Sequence, residues 1–361
     1  MRVGVIALSM LAVSACTSAQ PSFSNTNNSD LIQVFEPTPT QLSQKPASGQ
    51  AASTISFTFT AFGDAGFADS HVSRPVYRGG FRGAYNTFDP KLQLIGDINY
   101  INWETTVGNV CNAFWAPPSR STYAFLTPPQ ELSDAVSIGF NLIGLANNHS
   151  FDCLRSPEGN GPLQTSGHIT TLLKHVSSSP NSPLFSGAFS TTPASAATGT
   201  FRVTGGSVPV LFLSAYVGGD AQHCRNILCD SGLARYKKQM AASSGFRVLA
   251  LHSWNAASHS KLKTILSAWL REGLVDVAIG SGPHVAESVS IVKTPRGNRV
   301  LATSLGNFIH PSLSSQPNNI SLFSRWRYNT SSRTIEIESL KSVKISCRAE
   351  TCKRGGMKTL L

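Results

Sequence analysis

The sequence predicts a layered α/β fold in which mixed central sheets are flanked by helices and their central strands are covered on both faces. Three observations carry this reading: short continuous apolar runs, helix-period apolar stripes between them, and polar residues placed directly after the runs. "ISFTFTAF" from Ile55 alternates Ile55, Phe57, Phe59 and Ala61 against smaller polar residues, as a strand does, and ends in "GDAG". "LQLIGDINYIN" reads as a second strand leading to Trp103-Glu104, and "NLIGLA" (141–146) opens into Asn147-Asn148-His149. "VPVLFLSAY" (208–216), "FRVLAL" (246–251) and "VDVAIG" (275–280) read as buried strands, and "RVLATSLGNF" (299–308) closes the series. Leu262, Ile265, Leu266, Trp269 and Leu270 form the apolar stripe of a helix before "VDVAIG", and Ile169, Leu172, Leu173 and Val176 repeat the device. "TIEIESLKSVKIS" alternates at period two, which predicts an antiparallel edge strand or hairpin arm.

In open α/β sheets, ligand groups gather beyond the carboxyl ends of the strands. Asp64, Asp97, Glu104, Asn148, His149, His252, His284 and Asn307 all follow apolar runs in this way. One histidine at a strand end is commonly a hydrogen-bonded loop residue, so no single position carries weight. The recurrence does. Carboxylate, imidazole and amide oxygen together suit a divalent transition metal such as manganese, zinc or iron. Such ions polarise phosphoryl oxygens and turn bound water into a nucleophile.

The opening "MRVGVIALSMLAVSAC" has one arginine, an apolar stretch too short to span a bilayer and small residues before Cys16. It reads as a secretory leader (1–16), and "VSAC" resembles a lipobox, making Cys16 the expected lipidation point. Residues 17–54 are rich in Ser, Thr, Asn, Gln and Pro and read as a disordered tether. Thr17 after the cysteine favours the periplasmic face of the outer membrane, so the expected location is the cell envelope. Six cysteines remain, Cys111, Cys153, Cys224, Cys229, Cys347 and Cys352, an even number suited to disulfides in an oxidising compartment. Cys224 with Cys229 and Cys347 with Cys352 could close small loops, leaving Cys111 with Cys153, one of several open connectivities. The net charge of +11 is spread without a basic run or a finger spacing, which argues against a nucleic-acid partner.

The order of "FTAFGDAGF", "GDINYINWE", "GFNLIGLANNHSFD", "LALH", "IGSGPHV" and "SLGNF" resembles the CapA-type capsule and poly-γ-glutamate synthesis proteins. The resemblance implies a calcineurin-like metallophosphoesterase fold over 55–345, followed by a basic tail, 346–361. It implies one or two divalent metals held by Asp64, Glu104, Asn148, His252 and His284, with Asn148 and His149 serving catalysis. Asp97, Asp152 and Asn307 are then expected behind these residues, since ligating imidazoles need an acceptor behind them. The implied partners are an anionic envelope polymer or its precursor, a membrane reached through the N-terminal lipid, and a polymer synthase or export complex.

Two departures divide the expected function. Gly282 stands where the family pattern "GxHPHV" has a histidine, and "HSWNA" replaces the usual "HWGxE". One reading is a metal-dependent hydrolase or transferase with an incomplete ligand set. The other is a polymer-binding or assembly module that keeps the fold without turnover.

Overall fold

The computed structural model describes residues 53–66, 79–116, 123–176, 181–191, 195–310, 319–348 and 351–361. The leader, Cys16 and all but the last two residues of the expected tether lie outside the described residues. No helix among the described residues is long and apolar enough to cross a membrane.

Two mixed sheets stack face to face. The first has seven strands in the order Thr351–Thr359, Thr334–Arg348, Asn319–Asn329, Thr54–Ala65, Ile98–Trp103, Leu142–Gly144 and Leu184–Ser186. Its last four strands run parallel, and Asn319–Asn329 pairs antiparallel with Thr54–Ala65. The second has six: Val289–Thr294, Gly297–Ala302, Val277–Ser281, Phe246–Ser253, Gly206–Val217 and Ala197–Val203. Its central four are parallel and its two outer strands antiparallel.

Between the sheets lies one apolar layer. Phe57 and Phe59 of the first sheet meet the ring of Phe246 of the second at 5.1 and 5.3 Å, and Trp326 meets it at 5.0 Å. The outer face of the first sheet is covered by helices Gly80–Phe88, Pro129–Ile138 and Gly161–Val176. The outer face of the second is covered by Ala256–Arg271, through the buried Leu262, Leu266, Trp269 and Leu270 of the stripe read from the sequence. That helix starts where a capping box closes it: the Asn255 side chain accepts from the Ser258 amide, and the Ser258 hydroxyl accepts from the Asn255 amide. The result is four layers, helix, sheet, sheet, helix, which is the layered α/β class expected.

Two expectations change. "LQLIGD" is not strand: regular pairing starts at Ile98, because Asp97 turns back to accept from the amide (2.7 Å) and hydroxyl (2.7 Å) of Thr58. The segment 346–361 is not a free tail. Thr334–Arg348 is an interior strand, Thr351–Thr359 pairs with it as the sheet edge, and Cys347 bonds Cys352 where the hairpin turns. Basic residues along an exposed edge strand oppose pairing with another chain, which explains how a sequence that looks like a tail can be a strand. The other two disulfides join Cys111 to Cys153 and Cys224 to Cys229.

Candidate metal centre

The parallel strands of both sheets end at one rim, and the side chains that follow them converge there. Asp64 closes its strand against the loop 306–308: its amide donates to the Gly306 carbonyl (2.9 Å) and its carbonyl accepts from the Phe308 amide (2.8 Å). Gly63 permits that approach, since a Cβ there would lie 1.8 Å from the Gly306 carbonyl oxygen. The carboxylate accepts from the Asn102 amide group (2.8 Å) and from the Gly282 backbone N–H (3.3 Å), so both sheets hold it. Glu104 directly follows Trp103 at the end of the next strand and is fully buried. Neither of its carboxylate oxygens accepts a hydrogen bond. Imidazoles surround it instead: His252 Nε2 at 3.3 Å, His310 Nε2 at 3.5 Å and His284 Nδ1 at 4.0 Å.

His252 reaches the rim from the second sheet. Its Nδ1 lies 2.8 Å from the Ser281 hydroxyl and 3.7 Å from Asp64 Oδ1, and its Nε2 lies 2.6 Å from Asn148 Oδ1. Asn148 comes from the loop after Leu142–Gly144, where the Asn147 side chain caps a short turn by accepting from the His149 amide. His284 is the most open of the group, with a side chain 30% exposed and a left-handed backbone (φ 61°). Its Nδ1 meets Asn307 Oδ1 at 2.7 Å.

Electrostatics follow from this geometry. Burial alone would push the Glu104 carboxyl up, but the charges of His252, His284 and His310 outweigh it and hold the group well below the usual carboxylate range. Burial works against a charged His252, yet Glu104 and Asp64 overcome it and push the imidazole up to about 10. His310 goes the other way, pushed down to about 4 chiefly by burial. His149 lies 2.8 Å from Asp152 Oδ2. Burial disfavours its charge, but Asp152 and, more weakly, Glu104 raise it above the ordinary histidine value. Asp152 is fixed in turn by the Phe125 amide at 2.6 Å.

The positions read from the sequence therefore sort cleanly. Asp64, Glu104, Asn148, His149, His252 and His284 share one rim, with Asp152 and Asn307 each behind a histidine. Asp97 does not belong there. It sits at the opposite, amino end of its strand, on a cavity of about 490 Å³ that Asn99 and Asn141 also line. His310 is a site residue that the sequence reading misses, although it follows the apolar pair Phe308-Ile309 as the other site residues follow theirs.

Gly282 answers the question of the absent histidine. Its φ is +125°, and a Cβ would fall 1.7 Å from the Ser253 carbonyl oxygen. The backbone itself has closed over the place where a side chain would stand, and its N–H serves Asp64 instead.

One ligand atom each from Asp64, Glu104 and His252 lies within 4.8 Å of the others, all three residues buried. Two carboxylates and an imidazole fit a divalent ion, and Glu104, buried with two unbonded oxygens, is left otherwise unexplained in a native interior. Fold and site thus define a layered α/β protein with a buried carboxylate–imidazole centre able to hold a metal ion. Residues 58–157 match the family model described as "Bacterial capsule synthesis protein PGA_cap", which bears out the capsule-synthesis resemblance and takes in Asp64, Glu104, Asn148, His149 and Asp152. No curated protein matches the chain. Among solved structures, a hypothetical protein from Thermus thermophilus aligns at 11% identity and a TM-score of 0.40, covering 80% of this chain and 99% of that one.

Proposed function

We propose that this protein is a metal-dependent phosphoester hydrolase or transferase acting on an envelope polymer or its precursor during capsule synthesis. Glu104 carries the reading: a fully buried carboxylate, held charged by the imidazoles around it and given no hydrogen bond, keeps both oxygens free to serve a cation. Asp64, Glu104 and His252 would hold the ion, joined by Asn148 and His284, and manganese, zinc or iron would polarise a phosphoryl oxygen and acidify bound water. The rest falls to the chain. Asp152 fixes the His149 ring and favours its charged form against burial, which suits His149 to give a proton to the departing oxygen. Asn307 orients His284 at the open side, where substrate enters.

The leader, Cys16 and the three disulfides favour a lipid-anchored protein at the periplasmic face of the outer membrane, working beside a polymer synthase or exporter. Gly282 favours a second reading, a module that binds polymer without turnover, because one ligand position of the family pattern is closed by backbone. Metal-stripped protein reloaded with manganese or zinc separates the two. Elemental analysis should show tightly held metal that His252→Ala loses, and a phosphodiester such as bis-p-nitrophenyl phosphate should be cleaved. His149→Ala should keep the metal and lower turnover by about 100-fold. Metal held with cleavage at background, unchanged by His149→Ala, favours the module; no metal at all removes both the ion and the chemistry built on it.

A further inference from the structure

Beside His284 the rim opens into a cavity of about 540 Å³, a volume within the range of small-ligand sites. One wall is the start of the helix Ala256–Arg271, and the other is the loop through Gly282 and Pro283. Two features of its lining bear on what it could hold.

The first is Trp254, whose residue surface is 63% exposed. An exposed indole in the lining of a cavity offers a ligand a large surface to stack on. Its backbone is not loose: the Trp254 amide lies 3.3 Å from the Ser258 hydroxyl that closes the helix cap, so the chain that bears the ring is fixed. The ring offers a flat apolar face and one N–H donor.

The second is a fixed acceptor beside a fixed donor. Glu287 Oε2 takes His259 Nε2 at 3.0 Å and Lys263 Nζ at 3.4 Å, while His259 Nδ1 lies 2.9 Å from the Ser253 hydroxyl. His259 is itself buried, so the carboxylate is braced from inside the protein. Lys263 and Glu287 nearly cancel in charge. A cavity lined this way offers a run of carboxylates no net positive charge, since its one lysine is already paired with Glu287. It suits a neutral ring that has an apolar face and a hydroxyl edge that both donates and accepts.

We propose that this cavity is a subsite for a pyranose unit, its face against Trp254 and its hydroxyls on Glu287 and Lys263, so that a phosphate on the sugar reaches His284. The inference rests on the phosphoester reading above and narrows it: the substrate is a sugar phosphate or a phosphate-linked glycan, and not a polymer of glutamate.

Saturation-transfer NMR on the full chain tests the cavity without metal and without turnover. Methyl α-glucopyranoside should receive saturation in its ring protons, and titration should show Trp254→Ala weakening binding about tenfold while Trp254→Phe largely retains it. Glucose 1-phosphate on manganese-loaded protein should bind at least about tenfold tighter than inorganic phosphate, with that advantage gone in Trp254→Ala. Absence of transfer from the glucoside, an affinity for it unchanged in Trp254→Ala, or Trp254-dependent binding of poly-γ-glutamate would each overturn the proposal. Failure of the phosphoester reading looks different: the glucoside still binds, and neither phosphate nor glucose 1-phosphate gains from manganese.

Discussion

Two buried ionic clusters sit at opposite ends of the sheets, and they are built on opposite terms. At the amino end of the second sheet, Asp276 lies between Arg247 and Arg299, all three almost fully buried. Arg247 donates to both Asp276 oxygens (3.1 Å each) and to the Gly273 carbonyl (2.8 Å), and Arg299 Nε reaches Asp276 at 2.7 Å. Every charge there is paired and carries at least one hydrogen bond, Arg299 through Nη1 to the Asn298 carbonyl (2.7 Å) although its Nε makes none. At the carboxyl end, Glu104 has imidazoles at ion-pair distance and no hydrogen bond. The first cluster is finished without a ligand. The second is not, and that difference separates a structural centre from a functional one.

Removing a charge from each end breaks the comparison most directly. Asp276→Ala leaves two guanidinium groups buried without a counter-charge and should cost about 3–5 kcal/mol in denaturant unfolding, with metal stoichiometry unchanged in the protein that remains folded. Gly282→Ala comes next. The new Cβ must push the Ser253 carbonyl away from a backbone at φ +125°, so stability should fall by at least about 2 kcal/mol. For the same reason, Gly282→His should not raise metal content. A histidine variant that folded normally and bound more metal would mean that the loop is free to reopen. Glu104→Gln surrenders no hydrogen bond but removes a charge that holds His252 protonated, so it should destabilise less than Asp276→Ala and should weaken the dependence of unfolding on pH above 6.5. Its loss appears in metal content. An unfolding penalty as large as that of Asp276→Ala would erase the distinction between the two ends.

The same contrast explains what could be read from the chain. Apolar runs mark the central strands because strands buried on both faces carry no alternation to confuse them. The polar residues after those runs meet at one rim because parallel strands must all end on the same side. Asp97 misleads because Leu94 and Ile95 of "LQLI" are apolar for packing under the helices and not for pairing. A polar residue after an apolar run marks a strand's end only when the run is itself a strand. The buried cluster at the amino end leaves no comparable mark. Arg247, Asp276 and Arg299 lie within or beside apolar runs, and only the register of neighbouring strands brings them together. The extent of the last sheet is hidden for another reason, since an edge strand's charged residues look the same as those of a tail.

The finest test of the comparison is the pH profile of the metal-free protein. His252, pushed from 6.5 up to about 10, binds its proton more tightly when folded, so its contribution is complete below pH 6.5 and is lost as pH rises toward about 10. His149 is raised as well and acts in the same direction. His310, pushed from 6.5 down to about 4, resists its proton when folded, so stability declines as pH falls from 6.5 toward 4. The two slopes have opposite sign and meet near pH 6.5, where the urea midpoint should peak. His252→Gln should flatten the alkaline side, and saturating manganese should do the same, because an ion at His252 takes the place of its proton. A midpoint that is level from pH 6.5 to 10 would mean that His252 is not held charged by Glu104 and Asp64. The carboxyl-end cluster would then be no more poised for a cation than the one at the other end.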